Sequence, residues 1–172
     1  WMMSGQSNMF YGMGAEIASS ASDKPYQTQV TQDLANSYDP GLRYYKVPII
    51  ASTVENDNIA NVSWVQSSSV ATNSVTAVGY YFAKNLRQAN PSVPIGLVHA
   101  AVGGTRISEW MSKSVLDATG KEQDYANRYR HWNGMIAPLT NYAIKGVGWY
   151  QGESDNFHTP DNYRIMQEAM IE

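Results

Sequence analysis

The sequence contains no cysteine, so it can form neither a disulfide nor a thiolate metal site. Charged residues are also scarce, at 16% of the chain with a formal net charge of −3. Proteins that neutralise nucleic-acid phosphates need a basic surface, so we expect no nucleic-acid partner. No apolar run approaches the roughly 20 residues that span a bilayer, so we expect no membrane partner either.

Hydrophobic residues make up 43% of the 172 positions, which is enough to form the core of one domain. The chain is too short for two ordinary domains. Aromatic side chains are plentiful, with 12 Tyr, 5 Trp and 3 Phe. Such rings can fill a core or stack on sugars, and composition alone favours neither use.

Three segments share one layout, in which a short apolar stretch is followed by a turn rich in small residues: residues 1–5, 95–104 and 146–152. A helix is predicted between the first two over residues 74–89, with Val78, Tyr81, Phe82, Leu86 and Ala89 on its apolar face. Strand, helix and strand in this order predict an α/β fold with parallel strands.

Other segments give weaker patterns. Residues 121–135 predict a second helix from the spacing of Tyr125, Tyr129, Trp132 and Ile136. Thr159 and Pro160 form a cap and first turn, and Tyr163, Met166 and Met170 follow at helical spacing. Within the polar region 15–73, only residues 43–50 have the pattern of a strand. We therefore expect this region to form a long segment that passes over the edge of the sheet, either as a binding loop or as a plain surface insertion.

The three turns carry the parts of an acyl-transfer site. The carboxyl ends of parallel strands meet at one edge of a sheet, so Ser7, the Gly103-Gly104 pair and Gln151 should converge. A serine hydroxyl can attack an ester carbonyl, and backbone N–H groups with a side-chain amide can hold the oxyanion that forms. We therefore predict Ser7 Oγ within about 4 Å of an N–H of Gly103 or Gly104, or of the Gln151 amide.

Three motifs, in this order, resemble the sialate O-acetylesterase family of the SGNH-hydrolase superfamily: SGQSNM at 4–9, GGTRISEW at 103–110 and GVGWYQGES at 146–154. The resemblance extends to RYYKVP at 43–48 before Trp64, AVGYYF at 77–82 and NGMIAPL at 133–139. It implies a flavodoxin-like three-layer sandwich with a mostly parallel sheet, and a location outside the cell or in the periplasm.

By this resemblance Ser7 is the nucleophile, Gly104 with Gly103 forms the oxyanion hole, and Gln151 stands where other SGNH enzymes have an asparagine. Asn8 and Glu153 would support the site through hydrogen bonds. The implied activity is removal of O-acetyl groups from carbohydrate, first of all from sialic acid. Acetylxylan or another plant polysaccharide is the alternative substrate. Neither cofactor nor metal is expected.

The general base is the missing part. In the resembled family the catalytic His lies far downstream in an Asp-x-x-His block, so we expect residues 1–172 to be a single domain truncated at both ends. Within the chain His158 is the candidate base, with Asp155 or Asp161 to orient it. His99 is expected to be packed with its ring satisfied, and His131 to have a surface or core role.

The sequence leaves two further interpretations open. Without a base, the chain could instead be an inactive sugar-binding fragment. Arg106, directly after the glycine turn, could pair with a sialate carboxylate, although an arginine there is more often a surface or salt-bridge residue. The expected partner is a small-molecule or polysaccharide acetyl ester, and the oligomeric state cannot be predicted.

Overall fold

The computed structural model describes residues 1–20, 25–158 and 160–172, and its centre is a five-stranded sheet. The strands are β1 (Met2–Gly5), β2 (Asp39–Lys46), β3 (Val65–Ser67), β4 (Ile95–Ala101) and β5 (Val147–Tyr150). Their order is β3-β2-β4-β1-β5, and every pairing is parallel except the antiparallel pairing of β3 with β2. The predicted α/β class with a mostly parallel sheet is therefore confirmed.

Helical segments pack on both faces of the sheet. The α-helices are α1 (Ser7–Phe10), α2 (Met13–Ala18), α3 (Gln27–Ala35), α4 (Ser69–Asn73), α5 (Ala77–Ala89), α6 (Lys113–Thr119), α7 (Glu153–His158) and α8 (Pro160–Ile171). Successive strand residues point to opposite faces. Met3 accordingly packs with Tyr80 of α5, whereas Met2 packs in a separate cluster with Trp110 and Met135. This alternation produces the three layers that the resemblance implied.

Helix α5 begins at Ala77, three residues later than predicted, because the Thr76 hydroxyl caps it by accepting a bond from the N–H of Gly79. The predicted apolar face is rotated. Gly79, Tyr80 and Ala83 are buried, whereas Val78 and Ala89 are exposed. The helix is rotated because Gly79, which has no side chain, allows α5 to approach β1 closely. A Cβ on Gly79 would lie 3.0 Å from Cγ of Met3 in β1.

Residues 15–73 contribute more to the sheet than predicted. They supply β2 and β3 as well as helices, and β2 is an interior strand between β3 and β4. The expected excursion over the sheet edge is therefore wrong. The strand predicted over residues 43–50 overlaps β2 at 43–46, whereas β3 was missed. The polar residues of this region are buried as hydrogen-bonded groups: the Tyr44 hydroxyl lies 2.8 Å from that of Ser67 and 3.0 Å from that of Thr72.

The helix predicted over residues 121–135 is also wrong. Turns occupy the segment until a π-helix forms at Trp132–Ile136, and Tyr129 takes the left-handed conformation with φ of 64°. The side chains of Tyr125 and Tyr129 are instead held in place by hydrogen bonds from their hydroxyl groups. The Tyr125 hydroxyl donates to Glu109 at 2.9 Å, and the Tyr129 hydroxyl donates to Asp117 at 2.7 Å.

Helix α8 has the predicted apolar side, with Met166 fully buried and Tyr163 and Met170 half-buried in a cluster with Leu116. The predicted cap at Thr159 lies outside the described residues. Among the helices of the described ranges, none is long and apolar enough to cross a membrane.

Candidate active site

The three turns converge at one edge of the sheet, as predicted. Gly5, the last residue of β1, pairs with Ala101 of β4 on one side and with Tyr150 of β5 on the other. Backbone hydrogen bonds continue past the strand ends, from Val102 N–H to the Gly5 carbonyl at 3.1 Å and from Gln6 N–H to the Tyr150 carbonyl at 3.0 Å. Parallel pairing therefore brings Ser7, the glycine pair and Gln151 to the same edge.

Ser7 and the glycine turn lie side by side. Ser7 is exposed at the start of α1, and a Cβ placed on Gly103 would lie 3.8 Å from the Cβ of Ser7. Gly104 is exposed at φ +76°, a conformation that favours glycine, with open space on its Cβ side. Within the described part of the chain, the backbone N–H groups of Ser7 and Gly104 donate to no acceptor. Both N–H groups are therefore free to donate to a ligand, and their role in an oxyanion hole stays a prediction.

The side chain of Gln151 is buried and bonded to other groups at the floor of the site. Its amide nitrogen donates to Oε1 of Gln6 at 3.1 Å, to the Thr105 carbonyl at 2.9 Å and to Asp155. These acceptors use both amide protons, so Gln151 joins the three turns together in this structure. Its role as an oxyanion donor stays a prediction.

Gln6 completes this floor, although sequence reasoning gave it no role. Its Oε1 also accepts from the backbone N–H groups of Gly152 at 3.4 Å and Ser154 at 3.2 Å. Gln6 is only 3% exposed, so its side-chain oxygen holds the third turn in place from the buried side of the site. One signal was available: a polar residue between a buried strand and Ser7 needs hydrogen-bond partners.

Asn8 and Glu153 form a second link between the first and third turns. The Asn8 amide donates to Oε1 of Glu153, while the other carboxylate oxygen of Glu153 is buried and has no partner among the described residues. This is the hydrogen-bonded arrangement expected of supporting residues. It also places a carboxylate next to the residue that follows Ser7.

Asp155 does not orient His158. It is fully buried, and it accepts from the Ile107 N–H at 3.1 Å and from the Gln151 amide. Burial raises the pKa of its carboxyl group. Since its oxygens serve these donors, Asp155 anchors α7 to the segment after the glycine turn. His158 is exposed as the last residue of α7, and its role as base stays a prediction.

Arg106 lies beside the site, but its charge is already paired. One guanidinium nitrogen lies 3.2 Å from Glu122, and the guanidinium carbon lies 4.2 Å from the centre of the Tyr125 ring. The Arg106 backbone N–H donates to Glu109 at 3.0 Å. A substrate carboxylate would have to compete with Glu122 for this arginine.

The other two histidines are buried in the core. His131 packs against Trp110 with the rings tilted by 42° and 5.1 Å between ring centres. Its Nε2 lies 3.4 Å from Glu109, and burial lowers its pKa. His99 lies in β4 and is packed, as predicted, but the expectation of a satisfied ring is wrong. Neither ring nitrogen of His99 has a hydrogen-bond partner in the described ranges. Burial, with a smaller contribution from Lys46, lowers its pKa to about 4.

The shifted pKa of His99 predicts an acid-sensitive fold. The unfolded chain takes up this proton below about pH 6.5 and the folded protein only near pH 4, so stability falls as the pH drops between these values. We expect His99 to account for about 3 kcal/mol of that loss. Urea unfolding of the wild type and of His99→Leu at both pH values measures it. His131 is present in both proteins and cancels, so equal pH dependence in the two would contradict the prediction.

The sheet order and the converging turns define an α/β protein of the SGNH-like class. The chain belongs to the carbohydrate esterase family described as sialic acid-specific acetylesterase, since the model of that family matches residues 1–172. Sialate O-acetylesterases of Pongo abelii and Mus musculus are each 30% identical to it and align with 100% of this chain, over 34% and 38% of their own lengths. The chain therefore spans about a third of these relatives.

One solved structure supports this family, and a second supports the fold. A carbohydrate acetylesterase from Xanthomonas citri superposes with a TM-score of 0.81 at 35% identity, over 99% of this chain and 36% of that one. A protein from Arabidopsis thaliana gives a TM-score of 0.52 at 22% identity, over 99% of this chain and 65% of that one, and shares the fold. The resemblance drawn from the three motifs is thus confirmed.

Proposed function

We propose that this chain carries the nucleophile and oxyanion parts of a carbohydrate O-acetylesterase, with Ser7 as the nucleophile. The proposal rests on the exposed Ser7 at the start of α1, whose Cβ would lie 3.8 Å from a Cβ placed on Gly103 in the turn after β4. A serine beside free backbone N–H groups is the geometry that acyl transfer requires.

The reaction takes place in two steps. Ser7 Oγ attacks the acetyl carbonyl carbon, and the N–H groups of Ser7 and Gly104 hold the oxygen that becomes negative. The C–O bond to the sugar breaks, the sugar oxygen leaves with a proton, and Ser7 carries the acetyl group. Water then attacks this ester, releasing acetate and restoring the hydroxyl. His158, the exposed member of the three histidines, is the candidate base for these proton transfers.

The names of the relatives support sialic acid as the first substrate. The family description names sialic acid, and the relatives from Pongo abelii and Mus musculus are named sialate O-acetylesterases. The Xanthomonas citri structure is named more broadly as a carbohydrate acetylesterase, which supports the acetylxylan alternative equally well. The second candidate function is sugar binding without turnover. It is favoured by the burial of His99 and His131, which leaves only His158 to act as base.

Acetate release separates these candidates. The chain is incubated with O-acetylated N-acetylneuraminic acid and with acetylated xylo-oligosaccharide, and free acetate is measured against a buffer blank. We expect release above the blank, and the faster substrate identifies the class. Sugar binding with acetate at the blank rate would contradict the esterase proposal and support the binding protein.

A further inference from the structure

A cavity of about 240 Å³ lies on the sheet face that carries α1. Phe10, Lys46, His99, Ala101 and residues 47–49 line it. Phe10 lies three residues after Ser7 on α1, so the two side chains point to the same side of that helical turn. Ala101 lies two residues before Gly103. The cavity is therefore next to the space where an ester bound at Ser7 would lie.

His99 supplies an unused polar group to this cavity. Its side chain is 2% exposed, and both ring nitrogens lack a partner among the described residues. A neutral imidazole has one N–H donor and one acceptor nitrogen. Buried polar groups without partners are rare in folded proteins and call for an explanation. His99 lines the cavity, so the cavity is the side from which a ligand group would approach this ring.

Lys46 supplies an unpaired positive charge at the same place. Its ammonium donates to the Ser74 carbonyl at 2.6 Å and lies 5.8 Å from the centre of the Phe10 ring. Across the described ranges, no carboxylate forms an ion pair with it. An ammonium has three donors, so two remain for a ligand. The remaining walls are apolar, which strengthens a charge interaction made there.

We propose that this cavity is a subsite for the carboxylate of an acidic sugar, with Lys46 as its counter-charge and His99 as a hydrogen-bond donor. Arg106 is unsuited to this task because Glu122 already neutralises it. The identification of the ligand as a sugar rests on the proposed function. Sialic acids and uronic acids share the carboxylate, and their different sizes allow the two sources to be distinguished.

Binding measurements test the subsite without requiring turnover. The Ser7→Ala chain is titrated with N-acetylneuraminic acid, with glucuronic acid and with the carboxamide of N-acetylneuraminic acid, and the dissociation constants are measured by calorimetry. We expect at least one acid to bind about tenfold more tightly than the carboxamide. Lys46→Met should remove this preference, and Lys46→Arg should retain most of it. Lys113→Met, on a lysine paired with Asp117 in α6, is the matched control and should bind like the parent.

A second readout follows His99 directly. We expect the nitrogen resonances of the His99 ring to shift when the preferred acid binds and to stay in place with the carboxamide. Equal affinity for acid and carboxamide, unchanged preference in Lys46→Met, or failure of both acids to bind would overturn the subsite. None of these results depends on acetate release, so a failed subsite leaves the esterase proposal standing, and an inactive chain leaves the subsite testable.

Discussion

Ser7→Ala is expected to reduce hydrolysis of p-nitrophenyl acetate by this chain to the rate of the buffer. Removing the nucleophile of a serine hydrolase costs roughly a thousandfold or more, because no other group can form the acyl intermediate. Ser7 is exposed, so the substitution should leave the fold unchanged. Initial rates at matched protein concentration, with urea unfolding to verify the fold, provide the measurement.

The matched control is Ser154→Ala on the neighbouring turn. Ser154 contacts Gln6 through its backbone N–H, which alanine retains. We expect this variant to hydrolyse the ester at the wild-type rate. Equal rates for Ser7→Ala and the wild type would exclude Ser7 as the nucleophile, whatever the control shows.

Gly5→Ala is expected to cause the largest loss of stability of any glycine-to-alanine change at the site. Gly5 has φ of +142°, and a Cβ there would lie 2.0 Å from the carbonyl oxygen of Tyr150 in β5. The same oxygen accepts the Gln6 N–H, so β5 cannot move away without breaking that bond. Backbone strain and overpacking together predict a loss of about 3 kcal/mol or more in the free energy of unfolding.

Gly120→Ala separates backbone strain from the clash. Gly120 has φ of +66° at the end of α6, and a Cβ there would meet nothing within 4 Å. We expect it to lose only about 1 kcal/mol. Urea unfolding of both variants gives the comparison. A loss of the same size in both would mean that β1 and β5 are not as close at Gly5 as the structure shows.

The central parallel strands were predictable because each is a short apolar run that ends in small residues. That pattern depends only on neighbours in the chain, and it correctly placed Ser7, Gly104 and Gln151 at one edge of the sheet. The apolar face of α5 was not predictable in the same way. It depends on how closely the helix approaches β1, which Gly79 decides by lacking a side chain.

Segments that are buried through polar contacts were predicted only in part or missed. The predicted strand 43–50 overlaps only the second half of β2, where the Tyr44 hydroxyl bonds to Ser67 and Thr72, residues more than 20 positions away. Tyr125 and Tyr129 have helical spacing but are held in turns by Glu109 and Asp117. Sequence periodicity assigns such residues either to the core or to the surface. It cannot detect their hydrogen-bond partners, because these are brought close only by the tertiary fold.

The hydrogen bonds at the floor of the site were equally unpredictable from the sequence. The sequence places Gln6, Gln151 and Asp155 near the turns, yet which side chain bonds to which depends on the relative positions of three strands. For this reason the sequence assigned no role to Gln6 and suggested Asp155, as an alternative to Asp161, as the partner of His158. The missing hydrogen-bond partners of His99, and the lack of a carboxylate beside Lys46 among the described residues, were equally hidden, since both are visible only in three dimensions.

The most direct test of the account is covalent labelling of Ser7. The chain is treated with a fluorophosphonate, which reacts with activated serine hydroxyls, and the modified peptide is identified by mass spectrometry. We predict a single adduct on Ser7, lost in Ser7→Ala and retained in Ser154→Ala. No adduct, or an adduct on another serine with Ser7 unmodified, would contradict the assignment of Ser7 as the nucleophile of this site.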